Sequence, residues 1–108
     1  MDILGTKYSI IQGNEEEYPK LKDKWGYCDV STKKIVVCDM EDEKAEPDAL
    51  EDLKEFQKKV IRHEILHGFF FESGLHECSE YAMNEELVDW VALQFPKLLK
   101  AFKEVDVI

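Results

Sequence analysis

The chain has 108 residues and a mass of 12.6 kDa, enough for one hydrophobic core and too little for two. With 44% hydrophobic and 35% charged residues it is too charged to be a membrane-spanning chain and too apolar to be disordered. Twenty-four acids against fourteen bases leave a net charge of -10, with a single arginine, Arg62, and lysines set among acids. That excludes partners bound chiefly through phosphates: nucleic acid and anionic membrane surfaces.

The first 46 residues carry strand and turn signals. Tyr8 to Gln12 is a β-branched and aromatic run that ends at Gly13-Asn14. Residues 13 to 24 are polar, hold three consecutive glutamates and Pro19, and read as a surface loop. Trp25 to Val30 and Lys34 to Asp39 are two more strands, and Ser31-Thr32-Lys33 between them predicts a hairpin. Lys34 to Asp39 has two readings: an edge strand that pairs with an extended peptide, or an ordinary core strand. The acidic stretch 39 to 48 reads as a solvated loop, since the Gly that a calcium loop needs at its sixth position is Lys44.

From residue 47 the pattern is helical. Pro47 suits a first turn, and Asp48 with Glu51 has capping-box spacing. Leu53, Phe56, Val60, His63, His67 and Phe70 recur at steps of three and four as one core-facing stripe, and Gly74 is the stop. Ser79 is placed to cap a second helix, with Leu87, Val91, Phe95, Leu98 and Phe102 on its apolar side, and Pro96 is expected to kink it or split off a last turn. The expected fold is a single α+β domain over residues 1 to 108. A small three-stranded sheet from residues 7 to 39 packs on two main helices from 47 to 103.

The three cysteines, Cys28, Cys38 and Cys78, form no CxxC pair, which excludes a cysteine-rich zinc finger. The odd count favours reduced thiols, with a Cys28–Cys38 bridge across the hairpin as the alternative. The first eleven residues lack a basic segment followed by a long apolar run, so the expected location is the cytoplasm.

One motif carries chemistry: His63-Glu64-Ile65-Leu66-His67, an HExxH. Residues i and i+4 lie one turn apart on the same helical face, so two imidazoles there converge on one metal ion. The intervening Glu lies about 100° round the helix, where it reaches a water beside the metal without ligating it. A catalytic zinc takes three protein ligands and keeps one position open. The extended HExxHxxGxxH pattern fails, because residue 70 is Phe and residue 73 is Ser. The remaining third ligands are His76, Cys78, Glu80, Glu85 and Glu86. Glu85 and Asp89 sit four apart at the head of the second helix, a spacing that pairs a ligand with an acid able to hold the far nitrogen of a ligand histidine. Glu86 is its main competitor.

This constellation resembles the gluzincin metallopeptidases, which combine HExxH with a downstream NExxxD helix: here His63, Glu64 and His67, then Asn84, Glu85 and Asp89. The chain also looks like the small bacterial and phage HExxH proteins grouped near the ImmA/IrrE-type metallopeptidases and the minigluzincins, over roughly residues 24 to 103. The resemblance implies zinc held by His63, His67 and Glu85, with Glu64 as general base and Asp89 orienting a ligand histidine. It implies hydrolysis of a peptide or protein substrate. Thermolysin-like gluzincins supply an oxyanion-stabilising histidine from a second subdomain beyond the Glu helix. This chain ends at Ile108, so another group must serve, with Tyr81 the nearest candidate and Tyr27 behind it. Two rival readings stand beside the peptidase: a zinc-bearing regulator that acts by protein–protein contact, and a metal-free interaction domain with an incidental motif.

Overall fold

The computed structural model describes residues 1–40 and 52–108. Five strands come first: β1 (Asp2–Ile3), β2 (Thr6–Lys7), β3 (Ser9–Gly13), β4 (Gly26–Asp29) and β5 (Lys34–Cys38). Three helices follow: α1 (Leu53–Glu72), α2 (Leu75–Cys78) and α3 (Glu85–Glu104), with 3-10 turns at Pro19–Leu21 and Glu80–Met83. The architecture is α+β, as the sequence led us to expect.

The three expected strands form one sheet in the order β3-β5-β4. β4 and β5 are an antiparallel hairpin, and β3 runs parallel to β5 with Ser9 opposite Lys34 and Gly13 opposite Cys38. β5 is therefore the central strand, and the edge-strand reading of Lys34 to Asp39 is wrong. Both of its edges are occupied; the edge beside the helices belongs to β4. The register also overturns the disulfide alternative. Cys28 faces Ile35, three residues from Cys38, and the cysteines are unbridged. Asp29 closes the hairpin turn, its Oδ1 accepting from Ser31 Oγ at 2.6 Å and from the backbone N–H groups of Ser31 and Thr32.

A second, two-stranded ribbon, β1–β2, was not anticipated. It turns through Leu4 and Gly5 at φ 51° and 92°, and Leu in the left-handed region is a weak turn signal. The ribbon brings Ile3, fully buried, down on α1. A Cβ on Gly68 would come within 2.8 Å of Ile3 Cδ1, so the glycine lets the end of that side chain lie close against the helix. On the other face of the sheet, the polar stretch 13 to 24 is not merely a surface loop. Its 3-10 turn places Leu21, 4% exposed, in the interior on the side of Val36.

The core joins Ile3, Tyr8, Ile35, Val37 and Met40 to Val60 of α1. α1 lies between the sheet and α3. This corrects the expectation that both helices pack on the sheet. The stripe expected to face the core holds in its first half, with Val60 in the core and Leu53 and Phe56 packed against it; beyond that Glu64 and Gly68 are the buried positions, and His63 and His67 are half-buried on the flank that meets α3.

Several local expectations need revision. α1 starts at Leu53 under Asp52, whose side chain accepts from Glu55 N at 3.1 Å. Pro47, the Asp48–Glu51 pair and the acidic stretch from residue 41 lie outside the described residues. Gly74, at φ 84°, follows the end of α1 as foreseen. Ser79 caps the 3-10 turn, while Asn84 caps α3 by accepting from Leu87 N. α3 continues through Pro96 without a break. Its contact with α1 uses Val88 and Ala92, not the expected stripe, of which Leu87, Phe95 and Phe102 are exposed. Among the described residues, no helix is long and apolar enough to cross a membrane.

Candidate metal centre

α1 and α3 lie side by side with His63 and His67 on one and Glu85 on the other. The i, i+4 spacing sets the two imidazole nitrogens Nε2 3.2 Å apart. Glu85, the first residue of α3, reaches both: its Oε2 is 2.8 Å from His63 Nε2 and its Oε1 is 3.1 Å from His67 Nε2. Two imidazole nitrogens and a carboxylate aimed at one point are donors suited to a cation, and these three residues could hold a metal ion.

The surroundings of His67 favour its neutral imidazole, whose Nε2 is turned to that point. Burial holds the His67 imidazolium below its ordinary range, and the His63 charge adds to that against the opposing pull of Glu85. His63 Nδ1 lies 3.2 Å from Asp89 Oδ1, so a proton on Nδ1 can be donated to that carboxylate, which orients the ring with Nε2 toward the donor triangle. Asp89 is held in turn by Lys59 Nζ at 2.5 Å. Burial pushes the Asp89 carboxyl up, but its bonds to Lys59 and His63 outweigh that and keep it below its ordinary value. Sequence reasoning missed Lys59, although the signal was present: it lies one turn before His63 on the same face.

Glu64 stands apart from the ligands, as the helical geometry requires. It is 7% exposed, on the sheet-facing side of α1, where Gly26 of β4 approaches closely. Burial raises its carboxyl to about 7, against the opposing effect of His63, with Glu85 raising it further. A carboxyl near neutrality, next to a cation site, is matched to giving and taking protons.

These groups line one cleft of about 630 Å³ between β4, α1 and the start of α3. Trp25 and Tyr27 form its sheet-side wall, with Phe56 packed edge-on against Trp25 at 5.3 Å. Phe71 and His76, ring to ring at 6.1 Å, close the far end.

The structure thus brings together His63, Glu64, His67, Glu85 and Asp89. It leaves out Glu86, exposed one residue beyond Glu85, and Cys78 and Glu80, exposed on the connecting segment. Tyr81, expected near the oxyanion, is 75% exposed and does not line the cleft, because the 3-10 turn directs Ala82 inward instead. Tyr27 does line it. In comparisons with known proteins, the chain matches no family model, no curated protein and no solved structure.

Proposed function

We propose that the protein is a zinc-dependent peptidase of minimal zincin-like design. The observation that carries this reading is the donor triangle of His63, His67 and Glu85. A tetrahedral zinc with bonds of about 2.0–2.1 Å has donors about 3.3 Å apart. The separations found here among His63 Nε2, His67 Nε2 and Glu85 Oε2, 3.2, 2.8 and 3.3 Å, are near that spacing, and three protein ligands leave one position open. Nitrogen and carboxylate donors suit zinc. When bound there, zinc supplies a Lewis acid that polarises a carbonyl and acidifies water.

The chain's own residues supply the rest. Glu64 takes the proton of the attacking water and passes it to the leaving amine. Asp89, braced by Lys59, keeps the His63 ring in its ligating orientation. A peptide laid in the cleft meets the open edge of β4, whose N–H and C=O groups pair with it in register, while Trp25 and Phe56 receive an apolar side chain. Tyr27 replaces Tyr81 as the candidate donor to the oxyanion, because it lines the cleft.

A second reading, a zinc-bearing regulator that acts by protein contact, is favoured by the position of Tyr81 outside the cleft. One experiment separates the two. Zinc content and cleavage of a mixed peptide library are measured for the wild type and for Glu64→Gln. The peptidase reading expects zinc in both and cleavage in the wild type alone. Zinc in both with cleavage in neither supports the regulator, and cleavage undiminished in Glu64→Gln refutes the assigned general base.

A further inference from the structure

Among the described residues, two lysines line the cleft, and one of them has no partner. Lys59 Nζ is bound to Asp89 at 2.5 Å. Lys24, exposed at the end where Trp25 and Phe56 meet, makes no ion pair among the described residues. The carboxylates of the cleft are engaged elsewhere: Glu85 with the imidazoles of His63 and His67, and Asp89 with Lys59. Glu64 is buried, and burial raises its carboxyl while the charges of His63 and Lys24 oppose that. The backbone beneath Lys24 is tied down on both sides. Lys24 N–H donates to the Leu21 carbonyl, and the Trp25 carbonyl accepts from Cys38 N–H, both at 2.8 Å. The cleft thus holds a positioned ammonium with no anion of its own.

The course of β4 says which end of a peptide meets it. Trp25 packs on Phe56, Gly26 lies against Val60 and Glu64, and Cys28 lies against Gly68. β4 therefore advances along α1 in the same direction. Among the described residues, no strand pairs with its outer edge. A peptide added there in the antiparallel sense, the more stable ladder, runs the opposite way. Its C-terminal side then points to Lys24, Trp25 and Phe56, and its N-terminal side to the end closed by Phe71 and His76. From the two histidines back to Phe56 is about 10–16 Å of helix, or roughly three to five residues of extended peptide.

A chain of net charge -10 repels acidic peptides as a class, so Lys24 fits one carboxylate at a fixed place and not an acidic run. We propose that Lys24 is a specificity-determining residue of the cleft, pairing with a carboxylate on the C-terminal side of the bound peptide, beside an apolar side chain held by Trp25 and Phe56. That carboxylate is the free C-terminus of the peptide or the side chain of an aspartate or glutamate. The assignment rests on reading the cleft as a peptide site, and it does not need the peptide to be cut.

Binding is read by fluorescence anisotropy on the whole chain carrying Glu64→Gln, so that no turnover intervenes. Four labelled alanine-rich octapeptides each hold one phenylalanine near the C-terminus. Two differ only in a free or an amidated C-terminus. The other two are amidated and differ only in glutamate or glutamine after the phenylalanine. At low salt the carboxylate form should bind about fivefold tighter in at least one pair, and the pair that shows it names the source. Lys24→Gln should erase that preference and Lys24→Arg should keep it; the side chain is exposed, so neither change should disturb the fold. Equal affinities within both pairs, no binding of any peptide, or a preference that survives Lys24→Gln overturns the assignment. An intact preference, with none of the peptides cleaved by the wild type, upholds Lys24 and counts against hydrolysis instead.

Discussion

Arg62 Nε donates a 2.6 Å hydrogen bond to the carbonyl oxygen of Ala92. Ala92 is the residue four before Pro96, and proline has no N–H to give it. The guanidinium of α1 therefore supplies the bond that the proline removes from α3. This is how α3 runs through Pro96, and it ties the two helices that carry His63, His67 and Glu85 together at the backbone. Arg62→Met should cost about 1–3 kcal/mol in urea unfolding, because it leaves a carbonyl without its donor. Pro96→Ala restores an intrahelical N–H. In that background the same Arg62 substitution should cost distinctly less, and equal costs in the two backgrounds would show the bond to be unimportant.

The metal centre predicts an asymmetry between adjacent glutamates. Glu85 sits at the donor triangle and Glu86 is exposed outside it. Elemental mass spectrometry should find about one zinc per chain in the wild type and in Glu86→Ala, and a loss of most of it in Glu85→Ala. Because the ligands come from both α1 and α3, a chelator should lower the melting temperature of the wild type and leave that of Glu85→Ala nearly unmoved. Equal zinc in the two variants would refute the three-ligand assignment.

Glu72, at the end of α1, predicts part of the acid sensitivity. Its carboxylate accepts from Tyr8 Oη at 2.7 Å, Lys33 Nζ at 2.9 Å and Thr6 Oγ1 at 3.2 Å. The Lys33 hydrogen bond, then that of Tyr8, holds it below its ordinary 4.5. A depressed carboxyl stabilises the fold above its unfolded value and loses that contribution as pH falls through its folded one. Thermal melts of Glu72→Gln should show lower stability at neutral pH and a smaller further loss below pH ~4.5 than the wild type. Parallel acid limbs would remove Glu72 from the account.

Gly26 allows β4 to approach α1 beside Glu64. A Cβ there would lie 3.0 Å from both Val36 O and Val60 Cγ1, and 3.4 Å from Glu64 Cγ. Val36 O belongs to the central strand and has little room to yield. Gly26→Ala should cost about 1–3 kcal/mol by denaturant unfolding, and a neutral result would mean that β4 shifts freely at the cleft wall.

The grouping of candidate metal donors was legible in the sequence because it rests on local geometry. The His63–His67 spacing and the Asn84-to-Asp89 register follow from one helical period, and the structure brings His63, His67 and Glu85 together. What the sequence concealed depended on pairings between distant segments. That β5 is central rests on a parallel partner more than twenty residues earlier, which no local pattern encodes. A broad apolar arc on α3 left the choice of inner face open, and the residues buried are Val88 and Ala92, at one border of that arc. The burial of Glu64 was hidden by its charge, since a carboxylate reads as a surface residue. Tyr81 failed for a nearer reason: the 3-10 turn that precedes α3 rotates it outward.

The bonds that Tyr8, Lys33 and Thr6 make to Glu72 act at a distance. Val60, Glu64, Gly68 and Glu72 follow one line along α1, so this anchor sets how far the helix is rolled about its own axis. A helix rolls as a single body. With side chains reaching about 5–6 Å from that axis, a roll of roughly 10° would sweep an imidazole nitrogen sideways by about 1 Å. Metal donors tolerate about half of that. How closely the His63–His67 pair meets Glu85 is thus decided partly at the far end of the rod that carries it, by a tyrosine and a lysine that never approach the donor triangle.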